Sequence, residues 1–260
     1  MAVVGTGCAP GAPGYDALVA EGRTLMERGE ARPALEVFLR AQQNHPEREE
    51  PYVYIASLCE TLGIPEVGIP VVRKALSRDD PNRARYHFML GVLLESADDP
   101  RGAEESYRGC IELDPGFAPA RANLAQLLFT GGRNREALDL MEETTRSFPG
   151  DPVLRLQYAE MLLRDGDIDE AERGVREILD SGQAPSQSHY LMGLIDLQRA
   201  RYDDARERLE KAVAEDPDDP RAWYQLANAC GRSGDSSCEA LALERFDTAF
   251  RRGLGDGSVD

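Results

Sequence analysis

The chain has 260 residues, of which 42% are hydrophobic and 30% are charged, so it can bury a core and is not expected to be disordered as a whole. Its formal net charge of −17 argues against binding to nucleic acid or to an acidic membrane surface, because both are bound through excess lysine and arginine. No apolar run is long enough to span a bilayer.

The first segment, residues 1–14, is rich in glycine, alanine and proline and shows no helical periodicity. Small residues lead up to Cys8, as they do at the end of a bacterial lipoprotein signal, where the cysteine becomes the lipidated first residue. The basic region and most of the apolar region of such a signal do not precede it. Two interpretations therefore stay open: a disordered leader, or the remnant of a lipoprotein signal with lipidation at Cys8.

From Tyr15 onward the sequence repeats with a period of 34 or 35 residues. Two columns of small residues and one column of larger apolar residues keep this period, and a proline closes most of the units. The first small column is Gly22, Ala56, Gly91, Ala125, Ala159, Gly193 and Ala227. The large column, which follows it within each unit, is Phe38, Val72, Tyr107, Met141, Val175 and Leu209. Columns that hold their phase in this way predict one structural unit repeated along the chain.

Each unit is predicted to be a pair of helices. Ala205, Leu209 and Ala212 lie at i, i+4 and i+7 and so form one stripe on a helix. Asp-Pro and Phe-Pro end the second helix of a unit, because proline disfavours helical geometry in the residue before it. In the second unit, Pro65 and Pro70 predict a second helix that starts late or kinks.

Turns are predicted from glycine and aspartate. Gly132, Gly166 and Gly234 fall between the two helices of a unit, where a left-handed C-cap suits glycine best. Asp218 and Asp219 precede a helix and are predicted to cap it and to place negative charge near its amino end.

The 34-residue period, the signature of Trp223, Leu226 and Ala227, the paired small columns and the closing proline together resemble the tetratricopeptide-repeat (TPR) family. The resemblance covers nearly the whole chain, residues 15–252. It implies an all-α fold, a right-handed superhelical solenoid of about seven TPR helix-turn-helix repeats. The expected segments are the leader or signal remnant over 1–14, repeats near 15–48, 49–83, 84–117, 118–151, 152–185, 186–219 and 220–252, and a disordered tail over 253–260.

The sequence contains none of the usual catalytic motifs, such as HExxH, GxSxG or a Walker-type phosphate loop, so we do not expect an enzyme. His87 and His189 occupy the repeat position of Trp223, which favours packing over metal binding. No cofactor and no metal site are predicted.

Five cysteines are spread along the chain without a CxxC pair or a metal-ligand spacing. Cys59, Cys110 and Cys230 fall within apolar helical patterns, where a free thiol acts as a small hydrophobic side chain. We therefore expect these three to fill the core as free thiols, and we expect no disulfide scaffold.

In TPR proteins the first helices of the repeats line a concave groove that captures a peptide or protein segment, and the resemblance implies the same here. Apolar anchors beside amides that can bond an extended backbone suit such capture. A carboxylate clamp is not expected, because Phe88 and Val92 stand where it needs lysine and asparagine. The candidate groove residues, which lie off the buried stripe of the first helices, are Tyr54, Phe88, Met89, Asn123, Gln126, Phe129, Gln157, Tyr190, Leu194, Tyr224, Gln225 and Asn228.

These features favour a non-enzymatic protein–protein interaction module or assembly scaffold, located in the cytoplasm. Its partner would be a protein or peptide, not nucleic acid or a small-molecule substrate, and it would reach a membrane only through lipidation at Cys8. Two alternatives stay open. One is a membrane-anchored TPR lipoprotein of a bacterial envelope, with its start upstream, that assists assembly of an envelope or surface machine. The other is a regulatory or targeting subunit of an enzyme complex.

Overall fold

The computed structural model describes residues 13–78, 80–181 and 186–253, and within these residues the chain forms fourteen α-helices and no strands. The helices are α1 Tyr15–Glu27, α2 Ala31–Asn44, α3 Glu50–Thr61, α4 Pro65–Leu76, α5 Arg83–Ser96, α6 Pro100–Leu113, α7 Ala118–Thr130, α8 Asn134–Ser147, α9 Pro152–Asp165, α10 Ile168–Asp180, α11 Ser186–Gln198, α12 Tyr202–Glu215, α13 Pro220–Ser233 and α14 Ser236–Gly253. Odd-numbered helices are the first and even-numbered helices the second members of the pairs. Residues 1–12 and 254–260 lie outside the described residues, so the leader, lipidation at Cys8 and the tail stay predictions.

Glycine and aspartate set several helix boundaries. Gly132, Gly166 and Gly234 have φ angles of 79°, 99° and 85°, which confirms the left-handed conformation predicted for them. At the start of α13, the Asp219 carboxylate accepts a hydrogen bond from the backbone N–H of Arg221 at 2.9 Å. It thereby satisfies one of the N–H groups that a helix start leaves unpaired.

The helix α4 rules out one of its two predicted alternatives, the late start, while a kink at Pro70 stays a prediction. It begins at Pro65, in phase with the second helices of the neighbouring pairs, and Pro70 lies inside it. The prediction of a late start is therefore wrong. Proline fits the first helical position because the N–H that it lacks would find no acceptor within the helix.

The chain divides into two compact units, Met1–Leu127 and Leu128–Asp260, with the boundary inside α7. Within the first unit each helix from α1 to α5 packs on the next, and α3 also contacts α5. Within the second unit the helices from α8 to α14 pack in the same order, and α11 also contacts α9 and α13. Each unit is thus an all-α solenoid of helical repeats, in which first helices of neighbouring repeats touch.

The small and the large column meet inside the repeats. The pairs that involve glycine are Gly22 with Phe38, Gly91 with Tyr107 and Gly193 with Leu209. A Cβ added to these glycines would lie 2.5, 2.5 and 2.6 Å, respectively, from the partner side chain. Where the large column holds Val72 or Val175, the small column holds Ala56 or Ala159 instead. At Gly22, Gly91 and Gly193 the second-helix side chain therefore approaches the first helix too closely for a Cβ to fit without a shift.

A buried ion-pair network lies in the second unit. Glu172 of α10 and Asp196 of α11 are only 9% and 4% exposed. The Arg201 guanidinium donates to Asp196 Oδ1 at 2.8 Å and to Glu172 Oε1 at 3.0 Å, and Arg199 Nε lies 2.8 Å from Glu172 Oε2. Burial raises the pKa of Asp196, because its charged form loses hydration. The charge of Asp196 thus depends on its arginine partner.

The cysteine prediction is confirmed for two residues and wrong for a third. Cys59 and Cys110 are buried free thiols, and burial raises the pKa of each to about 11. Cys230 instead forms a disulfide with Cys238, with the two Cα atoms 5.7 Å apart. The two residues lie on either side of the short turn between α13 and α14, so the turn brings their side chains together.

Candidate peptide-binding site

A pocket of about 450 Å³ opens on the first helices of the first unit. Residues of α3, α5 and α7 line it, together with one residue that precedes α7. The lining residues are Val53, Ala56, Ser57, Glu60, Arg85, Phe88, Met89, Val92, Phe117 and Asn123. More than half of this set is apolar, which is typical of sites that hold an apolar group of a partner. We call it the first-unit pocket.

The repeat explains why this pocket forms between α3 and α5. Val53 and Phe88 hold the same position in successive first helices, and so do Ser57 and Val92. Ala56, a member of the small column, also lines the pocket. A small side chain at this position leaves open a space that a longer one would occupy, so the pocket is a product of the repeat pattern itself.

The aromatic part of the pocket is held firmly. The ring centroid of Phe88 lies 6.1 Å from that of Tyr107 and 5.1 Å from that of Phe117. Tyr107 donates its hydroxyl hydrogen to Glu95 at 2.8 Å and accepts a hydrogen bond from the Asn123 amide at 3.3 Å. Burial raises the pKa of Tyr107, so its hydroxyl stays neutral and keeps donating. Phe88 therefore presents a preformed apolar surface.

Two charged side chains line the first-unit pocket and differ in their pairing. Arg85 Nη1 lies 2.6 Å from Glu49 Oε1, so its charge is largely compensated. The exposed Glu60 has neither a hydrogen bond nor an ion pair with its side chain among the described residues. The pocket thus carries one carboxylate without a cationic partner in the described part of the chain.

Five of the twelve predicted groove residues fall in the first unit. Phe88, Met89 and Asn123 line the first-unit pocket. Tyr54 does not, because it stacks on a ring of α2 with the centroids 4.4 Å apart. Gln126 is half-buried and does not line the pocket either.

The other seven predicted residues fall in the second unit and are less concentrated. Phe129 is only 7% exposed and lies under the guanidinium of Arg164, 4.9 Å from its ring centroid. Tyr190 lines a pocket of about 200 Å³, and the Arg221 guanidinium lies 5.5 Å from its ring centroid. Tyr224 is 53% exposed. The remaining four are Gln157, Leu194 and Gln225, which are half-buried, and Asn228, which is exposed. Of these seven residues, only Tyr190 lines the pocket of about 200 Å³.

Several lining residues were not predicted from the sequence. They are Val53, Ala56, Ser57, Glu60, Arg85, Val92 and Phe117. Val53 could have been found, because it holds the repeat position of Phe88, Tyr190 and Tyr224. Phe117 could not, because it lies in the turn before α7 and outside every helical stripe.

The two repeat-position histidines take part in packing. His87 and His189 are half-buried, and burial lowers the pKa of each. Among the described residues, no group of histidine, cysteine, aspartate or glutamate side chains could hold a metal ion. In the same residues, no helix combines the length and the apolar character needed to cross a membrane.

The repeated helix pairs define the class of protein. The tetratricopeptide-repeat family profile matches residues 94–152, 128–195 and 196–237. The chain belongs to the tetratricopeptide-repeat family. This fold is typically non-catalytic and supports protein–protein interaction in general.

Two curated proteins resemble parts of the chain. The human protein O-mannosyl-transferase TMTC1 is 28% identical over 137 residues, which are 53% of this chain and 15% of the transferase. The cellulose synthase operon protein C of Xanthomonas axonopodis pv. citri is 28% identical over 180 residues, which are 66% of this chain and 12% of that protein. The chain thus spans less than a sixth of either relative.

Three solved structures share the fold. A tetratricopeptide repeat protein from Parabacteroides merdae has a TM-score of 0.66 at 19% identity, over 85% of this chain and 86% of its own. PilF of Pseudomonas aeruginosa has a TM-score of 0.62 at 18% identity, over 82% and 97%. YrrB, described as a TPR protein with an unusual peptide-binding site, has a TM-score of 0.51 at 21% identity, over 73% and 97%. At these identities the likeness concerns the fold.

Proposed function

We propose that the chain is a non-enzymatic interaction module that binds a protein or peptide segment through the first-unit pocket. The observation that carries this proposal is the concentration of apolar side chains from two successive first helices, with Val53, Phe88 and Val92 around one opening. Apolar pockets with a few polar groups at the rim are the usual sites for anchor side chains of a partner.

The preformed wall supports the same proposal. Phe88 is fixed by its neighbours, and Tyr107, which helps to fix it, is hydrogen-bonded at its hydroxyl. A preformed pocket binds its partner without the cost of ordering its own side chains. The Asn123 amide at the rim can in addition bond the backbone of a bound segment.

Val53→Arg tests the proposed function. Val53 is 38% exposed, so arginine fits the fold while its long charged side chain blocks the opening. We expect the affinity for peptides selected on the wild-type chain from a displayed random library to fall about tenfold or more, which corresponds to about 1.4 kcal/mol. Fluorescence anisotropy of the labelled peptides measures this.

The matched control is Val153→Arg, in which another exposed first-helix valine, 52% exposed, receives the same change in the second unit. It should leave the affinity unchanged, and both variants should melt as the wild type does. Equal peptide affinity of Val53→Arg and the wild type would contradict the proposal.

We also propose that the chain works in an oxidising compartment. This location agrees with the alternative of an envelope protein and not with the cytoplasm. The observation that favours this location is the Cys230–Cys238 disulfide, because disulfides persist in oxidising environments and are rare in the cytosol. Cys8 lies outside the described residues and adds nothing to this argument.

The thiols of the protein purified from its natural source test the compartment. When the chain is unfolded and alkylated without reductant, Cys59 and Cys110 should gain the label while Cys230 and Cys238 should not. A sample reduced first is the control and should gain label at all four residues. Mass spectrometry of the peptides reads the result, and label on Cys230 and Cys238 in the unreduced sample would refute the proposal.

A further inference from the structure

We propose that the segment bound in the first-unit pocket carries a lysine or arginine beside its apolar anchor, and that Glu60 selects this basic residue. The inference rests on the proposed function and adds the chemistry of the partner. Its basis is the unequal pairing of the two charged side chains that line the pocket, Glu60 and Arg85.

Glu60 lies on the same face of α3 as two other residues that line the pocket. Val53, Ser57 and Glu60 follow each other at i, i+4 and i+7 on α3, so their side chains lie along one face of that helix. All three line the pocket. The helical rise puts Glu60 about 10 Å along the axis from Val53. When a partner side chain is anchored against Val53 and Phe88, the residues next to it in the partner sequence can therefore reach the Glu60 carboxylate.

The charged side chains around the pocket leave a negative charge at its edge. Arg85 is engaged by Glu49 at 2.6 Å and offers little attraction to an acidic partner. Glu95, the other carboxylate near the aromatic wall, accepts the hydrogen bond from Tyr107. Glu60 is exposed and has no cationic partner among the described residues, in a chain with a net charge of −17. A basic segment is attracted both by the net negative charge of the chain and by Glu60, while an acidic segment is repelled by both.

The same pocket disfavours the opposite specificity. Binding of a partner carboxylate would need free cationic or amide donors around the anchor. Arg85 is already paired with Glu49. The Asn123 amide already donates to Tyr107. Val53, Phe88 and Val92 offer no polar side-chain atom. The pocket thus combines an apolar floor with one acidic edge.

Peptide selection on two forms of the chain tests the inference. A displayed random peptide library is selected on the wild type and on Glu60→Lys. We expect the wild type to enrich peptides with lysine or arginine within a few residues of a large apolar residue. Glu60→Lys should lose this preference and enrich aspartate or glutamate at the same place.

A charge-swap cycle measures the effect with one synthetic peptide. Glu60→Lys should lower the affinity for a selected basic peptide about tenfold. Replacing the basic residue of the peptide by glutamate should restore the affinity for the variant. The matched control is Glu36→Lys, which changes the net charge equally at an exposed residue of α2, a second helix of the same unit.

The outcomes separate the two proposals. If Val53→Arg abolishes binding while Glu60→Lys and Glu36→Lys have equal effects, the pocket binds a segment but Glu60 does not select its charge, and this inference is overturned. If Val53→Arg has no effect, the proposed function itself fails. Enrichment of acidic peptides by the wild type would also overturn the inference.

Discussion

Gly91→Ala is expected to lower the free energy of unfolding by about 1–3 kcal/mol, although alanine is the better helix former. The reason is the close approach of Tyr107, whose ring would lie 2.5 Å from the new Cβ. Tyr107 is fully buried and its hydroxyl is hydrogen-bonded to Glu95, so the ring cannot move aside cheaply. Chemical denaturation followed by circular dichroism measures the change.

A second glycine serves as the control for this experiment. Gly174 lies inside α10 with no atom within 4 Å of an added Cβ. Gly174→Ala should therefore raise the free energy of unfolding by up to about 1 kcal/mol, the difference in helix propensity. The same substitution should thus have opposite signs at the two positions. A stabilising effect at Gly91 would show that the small column does not limit how closely the helices approach.

Arg201→Met is expected to lower the free energy of unfolding by about 3 kcal/mol, because it leaves the buried charge of Asp196 without its partner. The expected loss lies at the lower end of the range for buried pairs, because the Arg201 side chain is 35% exposed. Methionine keeps most of the aliphatic stem, so the loss reports on charge more than on packing.

The double variant Asp196→Asn with Arg201→Met separates these two causes. Asparagine keeps the shape of aspartate but carries no charge, so the double variant should recover more than half of the loss. If both variants were equally destabilised, lost packing of Arg201 would account for the effect. The same denaturation experiment decides between them.

The loss caused by Arg201→Met should also depend on pH. Burial raises the pKa of Asp196 in the folded chain, so the folded state binds this proton more readily than the unfolded state does. The penalty of the unpaired carboxylate is absent below the pKa of unfolded aspartate, about 4, and grows as the pH rises through the folded pKa. The difference between wild type and variant should accordingly be smaller near pH 4 than at pH 8. A constant difference would show that the loss does not come from the charge of Asp196.

Much of the fold could be predicted because it is encoded locally and repeated. The left-handed turns at Gly132, Gly166 and Gly234 follow from glycine at one fixed place in each unit. The in-phase start of α4 does not follow from the rule that proline breaks helices, because proline is accepted at the first helical position, where Pro65 lies.

The candidate site was predicted only in part, since its properties depend on partners distant in sequence. Glu60 matters because Arg85 is already paired with Glu49, a contact across 36 positions that no period reveals. The disulfide was missed because Cys230 fits an apolar stripe, and only the turn to α14 brings it to Cys238. Periodicity thus locates the helices and their faces, while it does not show which charges are already neutralised.

The pairing of small and large residues inside a repeat also restricts the order in which substitutions can accumulate. To turn the pair Gly193 and Leu209 into the pair found at Ala159 and Val175, two positions must change. Shortening Leu209 first opens a small cavity, which proteins tolerate at a cost of about 1 kcal/mol. Enlarging Gly193 first produces an overlap with Leu209 that the packed helices must absorb. In these repeats, the large side chain of the second helix should therefore be shortened before the glycine of the first helix is enlarged. The intermediate then contains a cavity and no steric overlap.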